Sequence, residues 1–365
     1  MNNQLTHIDV FIIGNGFDLA HGLKTKYTDF FKKRKRGVRN DPSLDNFLCE
    51  GFHSYSEQKG DHWFNLEQGI YELICRLLSL KSSLMKTKTL PIRHKLCLSD
   101  EEMDKDAINA LEKGYNKLVR EDNNFQESSK KMYEQLRYLV KEINDYLKEI
   151  SKDIEKRAKA QALRLPLELP LEKNTQYQVH KIRVLNFNYT KTFEKLYDKR
   201  LIENGIADIK HYHIHGVIKE NGSPSDKMNL VLGTQSFPDG NDQDLCRFTK
   251  YWQRHFYGTI EDCRKLLEEI ENLKGETVTF HIIGHSIDEA DHSILKEVLC
   301  HSLLLRGFYI NVYYHDEEAK ERLLYNITEM IGQENYVNRR VRFINQHNEQ
   351  DGILRHLKPL SETTI

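Results

Sequence analysis

The sequence predicts an α/β protein built around a parallel β-sheet. Runs of apolar and β-branched residues at 8–16, 181–190 and 277–286 have the length and composition of buried strands. Because these runs are continuously apolar, they are typical of parallel strands covered on both faces. Each run ends in glycine, asparagine or histidine, and helical patterns separate the runs along the chain. Further strands are expected at 308–316 and, with more alternation, at 209–217.

Composition and charge narrow the class of protein. The chain has 365 residues, of which 39% are hydrophobic and 30% charged, and its formal net charge is −1. This balance gives no overall attraction to nucleic acid or to an anionic membrane, and no apolar run reaches the roughly 18 residues of a membrane span. The N-terminus lacks the layout of a signal peptide. We therefore expect a cytoplasmic globular protein with one large or two ordinary domains.

The cysteines indicate neither a disulfide framework nor a zinc site. They are scattered along the chain without a C-x-x-C pair, at positions 49, 75, 97, 246, 263 and 300. Reduced thiols, in part buried as small apolar side chains, are expected instead.

A long amphipathic helix is expected between the first two strands. Residues 129–165 carry apolar side chains at three- and four-residue spacing, and Pro166 and Pro170 mark the end of this pattern. Residues 64–84 and 100–121 also have helical patterns. The apolar positions of the long helix are Met132, Leu136, Leu139, Val140, Ile143, Tyr146, Leu147 and Ile150.

These patterns predict two structural parts. A nucleotide-binding α/β domain would comprise residues 1–30 and 171–365, and a large helical insertion would comprise residues 31–170. The segment 219–245 is rich in turn residues and is expected to be either a surface loop or a lid over a site. Open parallel sheets bind ligands beyond the carboxyl ends of their strands, so the strand tips are the candidate functional region.

The first strand tip combines glycines with an acid. Gly14, Asn15 and Gly16 end the strand, and Asp18 and Gly22 follow. Glycine permits positive φ and lets backbone N–H groups come close to a pyrophosphate, which the start of a helix attracts further. A tight strand-to-helix turn without a ligand explains the glycines equally well.

The second tip offers two amide side chains, Asn186 and Asn188, at alternate positions. An amide supplies a donor and an acceptor without charge, so it can orient a water molecule, a ribose hydroxyl or a carboxamide. Turn chemistry is the alternative explanation, because asparagine commonly ends strands.

The third tip carries three histidines at alternate positions, His211, His213 and His215, followed by Gly216. Histidines on one face of a strand occur in metal sites, but no carboxylate or cysteine completes a ligand set in the sequence, and no metal is expected. A general base is the better-supported role, because histidine titrates near neutral pH. Gly216 would let a ligand or a neighbouring backbone come close.

The fourth tip is the segment GHSID at 284–288. Gly-x-Ser after a strand is similar to a nucleophile elbow, but Asp288 stands where that motif requires a second glycine. A triad of Ser286, Asp316 and His347 is available in the required chain order and stays an alternative. Asp288 would bind a ligand or cap a helix beginning at residue 289.

Taken together, the tips resemble those of the sirtuin-type NAD-binding fold. Sirtuins have Gly-Ala-Gly with a third glycine six positions on, then a strand ending in asparagine, then His-Gly and finally Gly-x-Ser. This chain has the four features in the same order, at Gly14, Gly16 and Gly22, at Asn188-Tyr189, at His215-Gly216, and at Gly284 and Ser286. It lacks the four-cysteine zinc ribbon of sirtuin deacylases, which favours water over an acyl-lysine as the acceptor.

A closer resemblance is to the AbiH family of bacterial abortive infection proteins. It is carried by IIGNGFDLAHGL near the N-terminus, by Trp63 with Leu66 and Glu67, and by NFNYT, HIHG and IIGHS, the last followed by an aspartate. The similarity extends over about residues 8 to 300 and implies a role in phage defence.

The two resemblances imply an effector that hydrolyses NAD at the nicotinamide–ribose bond to give ADP-ribose and nicotinamide. Asn188 would orient the ribose or water, and His215 would act as the base. Asp18 stands where sirtuins commonly have a serine, so its carboxylate would either bind a ribose hydroxyl or indicate a ligand other than NAD. The residues expected to bind the nucleotide are Gly14, Asn15, Gly16, Asp18, Gly22, Asn186, Gly216, Gly284, Ser286 and Asp288.

Two other functions stay open. The fold would bind NAD, ADP-ribose or a related nucleotide without turnover, and the helical insertion would transmit occupancy to a defence partner or to a second copy of the chain. Alternatively, the histidines and a metal would serve a nuclease, supported by basic runs at 32–36 and 339–340. Such runs are usually solvated surface, so nucleic acid is not the favoured partner, and no membrane partner is expected.

Overall fold

The structure is a computed structural model whose described residues form two compact units. The first unit comprises Met1–Lys24, Leu147–Ser223 and Tyr257–Ile365, and the second comprises Thr25–Tyr146 and Pro224–Phe256. The predicted domain boundaries at 30/31 and 170/171 stay predictions. The described residues are 6–37, 48–49, 52–53, 66–67, 69–71, 74, 125–159, 179–219, 228–235, 243–272, 277–301, 307–332 and 341–345.

A six-stranded parallel sheet forms the centre of the first unit, which confirms the predicted α/β fold with a parallel sheet, whereas its sirtuin-like form stays a prediction. Its strands are β1 (Thr6–Ile13), β2 (Val179–Asn186), β3 (Asp208–His213), β4 (Thr277–Ile283), β5 (Gly307–Tyr314) and β6 (Val341–Asn345). Every neighbouring pair is parallel, in the order β3-β2-β1-β4-β5-β6. The chain therefore adds β2 and β3 on one side of β1 and then β4, β5 and β6 on the other side. In such sheets the crevice beside the reversal, here between β1 and β4, is where ligands bind.

The described helices are of very different lengths. They are α1 (Asn15–Ala20), α2 (Tyr27–Gly37), α3 (Phe125–Lys159), α4 (Lys199–Glu203), α5 (Lys250–Tyr257), α6 (Ile260–Glu271), α7 (His292–His301) and α8 (Glu317–Ile331). A π-helical turn at Glu194–Asp198 leads into α4, and a 3₁₀ turn at Glu289–Asp291 leads into α7.

Apolar side chains cover both faces of the sheet, as the continuous apolar runs predict. On one face Val10 and Phe280 pack with residues of α6, α7 and α8 such as Leu266, Leu295 and Leu323. On the opposite face the core includes Phe11, Ile13 and Val184 of the sheet, Phe17 of α1, and Phe193, Tyr197 and Leu201 around the π-helical turn and α4. The sheet is thus buried from both sides, and its carboxyl edge carries the polar tips.

The strands stop earlier than the sequence runs suggest. The runs at 8–16, 181–190 and 277–286 lose their strand geometry after Ile13, Asn186 and Ile283. Beyond these points the chain leaves the sheet, for helix α1 after β1 and for loops after β2 and β4, and its backbone groups bond to the ends of neighbouring strands and to their tips.

The second unit packs helices against each other. α3 confirms the long amphipathic helix predicted at 129–165, and its apolar stripe is buried except at Ile150, which is half-buried. Within this unit Phe30 of α2 contacts Tyr146 with ring centroids 5.6 Å apart, and Arg34 Nε donates to Glu142 Oε2 at 2.9 Å. Lys250 of α5 is buried and pairs with Glu67 at 2.8 Å.

Several predictions fall on residues outside the described ranges. They concern the helices at 64–84, of which only six residues are described, and at 100–121, the last residues of the helix at 129–165, most of the segment 219–245, His347, and the basic run at 339–340. Among the residues that the structure describes, no helix is both long enough and apolar enough to cross a bilayer.

Candidate functional site

The structure brings the four predicted tips together at the carboxyl edge of the sheet. Asn188 Nδ2 in the β2 loop donates to Gly14 O in the β1 loop at 2.9 Å. Gly16 N donates to Gly284 O in the β4 loop at 2.8 Å. His215, just after β3, bonds through Nδ1 to Phe187 O at 3.1 Å. Hydrogen bonds therefore link the loops after β3, β2, β1 and β4 in the order of their strands.

The glycines of the first tip serve the contact between two loops. Gly14 N and Gly16 N both donate to backbone oxygens of the β4 tip, at 3.2 and 2.8 Å. A Cβ on Gly14 would lie 2.8 Å from Gly284 O, and a Cβ on Gly284 would lie 2.2 Å from Phe17 N. Any side chain at these positions would therefore separate the loops. The expected pyrophosphate cradle is not preformed by these two N–H groups, because both already donate to protein.

Gly22 has a different role from the other glycines of the first tip. It follows α1 with a φ of 74°, and its N–H donates to Leu19 O at 2.9 Å. A residue in the left-handed region just past a helix commonly ends that helix, and glycine adopts it without steric cost. The spacing shared with sirtuins is therefore explained by helix termination. Asn15 is the first residue of α1 and is half-buried.

Asp18 is enclosed at the start of α1. Its side chain is buried, and Thr190 Oγ1 donates to Asp18 Oδ2 at 2.5 Å. Burial raises the pKa of Asp18 to about 6, although hydrogen bonds from Thr190 and Thr192 act in the opposite direction. Among the described residues, Asp18 Oδ1 has no hydrogen-bond partner. The carboxylate thus fastens α1 to the β2 loop, and an enclosed position of this kind does not favour the predicted contact with a ribose.

The two asparagines of the second tip differ in how many of their side-chain amide atoms form hydrogen bonds within the protein. Asn186 is buried, accepts from Asn188 N at 2.8 Å through Oδ1 and donates to Thr190 O at 3.0 Å through Nδ2. Both ends of its amide are used to shape the loop, as the turn explanation expects. Asn188 donates from Nδ2 to Gly14, whereas its Oδ1 accepts no hydrogen bond from any residue that the structure describes. Asn188 is therefore the amide that can accept a bond from a ligand.

His215 forms a buried pair with Asp291, which follows the fourth tip. His215 Nε2 lies 3.0 Å from Asp291 Oδ1, and the exposed fractions of the two side chains are 7% and 12%. Because Nδ1 faces the Phe187 carbonyl and Nε2 faces a carboxylate, both ring nitrogens meet acceptors. This geometry favours the imidazolium form of His215 beside an ionised Asp291. The structure thus pairs His215 with an acid, and its role as a base stays a prediction.

His285 adds a second histidine on the other side of Asp291. Its Nδ1 accepts from Ile287 N at 2.9 Å, so its proton resides on Nε2, which lies 3.7 Å from Asp291 Oδ2. Ile287 is the only described non-glycine residue with positive φ, 56°, and Gly284 has a φ of 62°. A β-branched residue in this region is strained, and such strain often accompanies functional loops.

The other two histidines of the third tip point to the π-helical turn. His211 Nε2 lies 3.0 Å from Asp198 Oδ2, and His213 Nε2 lies 2.7 Å from Glu194 Oε1. Burial acts to raise the pKa of Glu194, but the hydrogen bond from His213 and the charges of His213 and His211 together outweigh it and lower that pKa. His211 and His213 both face Glu194, with His211 Nδ1 3.9 Å from Glu194 Oε1, whereas His215 pairs with Asp291. The three histidines therefore do not converge on one point. A metal site made of these three is not supported, and the nuclease alternative then depends on the basic runs alone.

The remaining predicted residues are arranged as follows. Ser286 is exposed, and its Oγ donates to Asp288 Oδ2 at 2.7 Å. Asp316 is also exposed and caps α8, accepting from Ala319 N at 2.7 Å. Because Asp316 is the N-cap of its helix, the geometry gives no support to the alternative triad. Gly216 donates through its N–H to His213 O at 3.2 Å, which turns the chain away from β3.

Asp291 is not among the site residues predicted from the sequence, although it pairs with His215. Its partner His215 is far away in the sequence, so spacing could not reveal the pair. The indication that the sequence offered was the position of Asp291, an acid shortly after the fourth strand tip and therefore near the edge that carries His215.

Comparison with known proteins agrees with the motifs on this edge. The family model described as "Bacteriophage abortive infection AbiH" matches residues 10–314, a range that contains all four tips and Asp291. No curated protein gives a significant match. Since the match covers most of the sequence, the chain belongs to the AbiH family of bacteriophage abortive infection proteins.

Proposed function

We propose that this member of the AbiH family is a cytoplasmic effector of phage defence that binds NAD and hydrolyses its nicotinamide–ribose bond. The observation that carries the proposal is that Asn188 and the His215–Asp291 pair lie on loops that hydrogen bonds link to one another at the carboxyl edge of the sheet, where open parallel sheets bind ligands. An amide acceptor and a buried acid–base pair are what an attack by water at a ribose carbon requires. The sirtuin-like order of the four tips supports the choice of NAD as the substrate.

The chemistry assigned to the residues follows from their hydrogen bonds. The Oδ1 atom of Asn188 would accept a bond from a ribose hydroxyl, while its Nδ2 stays fixed on Gly14 O. Asp291 would take a proton from the attacking water, because a carboxylate can accept more bonds than the one from His215. The water oxygen forms a bond to C1′ as the C1′–N bond breaks. The electron pair of the C1′–N bond goes to the pyridinium nitrogen and neutralises the leaving nicotinamide. The His215 imidazolium would hold Asp291 in place and lower the cost of its buried charge.

Nucleotide binding at this edge would require some rearrangement. The N–H groups of Gly14 and Gly16 donate to the β4 loop, so a pyrophosphate that uses them must replace those bonds. This observation favours a second candidate function, a sensor that binds NAD or ADP-ribose without turnover and changes the contact between the two loops. In that case the same residues would bind the nucleotide, and no product would form.

An assay of NAD loss tests the proposal. Purified protein, with and without extract from phage-infected cells, is incubated with NAD, and nicotinamide and ADP-ribose are measured by chromatography. We expect Asp291→Asn to lower the rate by at least about a hundredfold, the range of a lost general base. Asn188→Ala removes a group that positions the ribose and should lower the rate by about a hundredfold as well. His215→Ala is less informative, because it leaves the Asp291 carboxylate buried without its main partner and threatens the fold.

Matched controls separate a loss of chemistry from a loss of structure. Asn272→Ala removes an exposed amide from the end of α6, and Asp316→Asn keeps a residue that caps α8 well. Both controls should retain the activity of the wild type. Product formation that is equal in Asn188→Ala, Asp291→Asn and the controls would exclude this edge as the catalytic site. Calorimetric binding of ADP-ribose without any product, even with the phage extract, would favour the sensor.

A further inference from the structure

A second cluster of polar side chains lies in the sheet, away from its carboxyl edge. Asp9 of β1 is fully buried, and three histidines direct Nε2 atoms at its carboxylate. His180 Nε2 is 2.6 Å from Oδ2, and His281 Nε2 and His7 Nε2 are 2.9 and 3.1 Å from Oδ1. The cluster joins three adjacent strands, because His7 is on β1, His180 on β2 and His281 on β4.

Hydroxyl groups hold two of these rings in place from behind. His7 Nδ1 lies 2.7 Å from Thr277 Oγ1, and His281 Nδ1 lies 3.0 Å from Tyr313 Oη. A histidine that ligates a metal through one ring nitrogen almost always bonds through the other to a second group, which fixes its tautomer and its orientation. The rings of His7 and His281 already have this arrangement, with Nε2 turned inwards.

The distances within the cluster suit a small cation. One ligand atom each from His7, Asp9 and His180 lies within 4.8 Å of the others. A tetrahedral zinc ion with bonds of about 2.0 Å separates its ligand atoms by about 3.3 Å, so small side-chain shifts would accommodate it. His180 is the accessible member, with 22% of its side chain exposed, and gives an ion a route to the buried carboxylate.

We propose that His7, Asp9 and His180 form a binding site for a divalent transition-metal cation of the zinc class. Two imidazoles and one carboxylate are ligands that zinc, iron, nickel and copper accept, whereas calcium and magnesium prefer oxygen alone. His281 would bond to the Asp9 carboxylate and orient it. A solvent molecule on the His180 side would complete the coordination. This site revises the expectation from the sequence that the chain binds no metal, because that expectation considered only the histidines after β3.

The site is independent of the proposed hydrolysis of NAD. Asp9 precedes the end of β1 at Ile13, and none of its partners belongs to the four tips. A cation held by β1 and β2 would fasten two central strands to each other and so stabilise the first unit. Its loss would lower the thermal stability of the protein before it altered any chemistry at the carboxyl edge.

Metal titration of the full chain tests this site. Protein purified without an affinity tag is treated with a chelator, dialysed, and titrated with Zn²⁺ and Co²⁺ while bound metal, the Co²⁺ absorption spectrum and the melting temperature are recorded. We expect one tightly bound cation per chain, a spectrum typical of four-coordinate Co²⁺, and a melting temperature that rises with cation concentration. His180→Ala should weaken binding at least tenfold, the smallest effect usual for altered metal sites.

Two comparisons keep the test decisive. His315→Ala removes an exposed histidine, with 60% of its side chain accessible, and should bind the cation as the wild type does. Asp9→Asn is the stronger change, but it risks misfolding, whereas His180 is partly exposed and its removal should preserve the fold. No uptake by the wild type, or uptake that is unchanged in His180→Ala, would show that the histidines only hydrogen bond to Asp9 and would overturn the proposal.

Discussion

Replacing Gly284 by alanine tests the close contact between the β1 and β4 loops. Gly284 has a φ of 62°, and a Cβ added to it would lie 2.2 Å from Phe17 N and 2.5 Å from Gly16 C. Both are backbone atoms of the short helix α1, so they cannot rotate away as the end of a long side chain can. The alanine must therefore displace one of the two loops.

The expected cost is the sum of two effects. An alanine in the left-handed region costs about 1–2 kcal/mol, and forcing an extra carbon into a packed region costs about 1–3 kcal/mol. Gly258→Ala provides the matched control, because Gly258 has a φ of 77° in the same unit and an added Cβ would meet no atom within 4 Å. Only the first effect applies there. The difference between the variants isolates the steric effect, about 1–3 kcal/mol.

Thermal unfolding of both variants measures this difference. A change of 1 kcal/mol shifts the melting temperature of a domain of this size by about 2–4 °C, so Gly284→Ala should melt at least about 2 °C below Gly258→Ala. Proton exchange of the Gly16 amide, which donates to Gly284 O, should accelerate in Gly284→Ala alone. Equal melting temperatures in the two variants would refute the close approach of the loops.

Two further predictions concern buried charges. The pKa of Asp18 is about 6 in the folded protein, against an ordinary value of 3.8. Because the unfolded chain loses this proton at a lower pH than the folded protein does, the free energy of unfolding falls as the pH rises from 3.8 to 6. The wild type loses about 3 kcal/mol of its free energy of unfolding in this way, and Asp18→Asn does not. The melting temperature of the variant should therefore rise relative to that of the wild type from about pH 4 to 7, and a difference that stays constant with pH would contradict this assignment. Arg183 is buried and pairs with Asp208 at 2.8 Å and with Glu269. Because both acids are partly exposed, Arg183→Ala should cost about 2 kcal/mol in a urea titration, and an unchanged midpoint would contradict the role of these pairs.

The sequence predicts most of the sheet because parallel strands covered on both faces are continuously apolar. All five expected strands exist, and the long helix does too. β6 was not predicted, because Val341–Asn345 is only five residues long and follows a charged run, so the sequence shows no apolar pattern there. α8 has a buried stripe that includes Leu323, Ile327 and Met330, and this helical spacing was available in the sequence.

The site was harder to predict than the sheet, and the reason is physical. A glycine is required wherever another group comes close, whether that group is a phosphate or a second loop, so Gly14 and Gly16 look the same in both cases. The partner of Gly16 proved to be Gly284, in a distant part of the sequence. Asp18 likewise gives no local indication that it is buried against Thr190. The strand tips could be named from the sequence, whereas the bonds between them depend on contacts that only the folded chain creates.

The position of β1 in the sheet has a consequence for how the chain is made. β1 ends at Ile13, but its two neighbours begin at Val179 and Thr277. At a synthesis rate of about 5–20 residues per second, roughly ten to thirty seconds pass between the synthesis of β1 and that of β2, and a longer time passes before β4 is made. During that time an apolar strand has both edges unpaired, and closing such long loops is slow. The strand that carries both Asp9 and the first tip is therefore made well before its two neighbours, and it is enclosed only after both of them have been made.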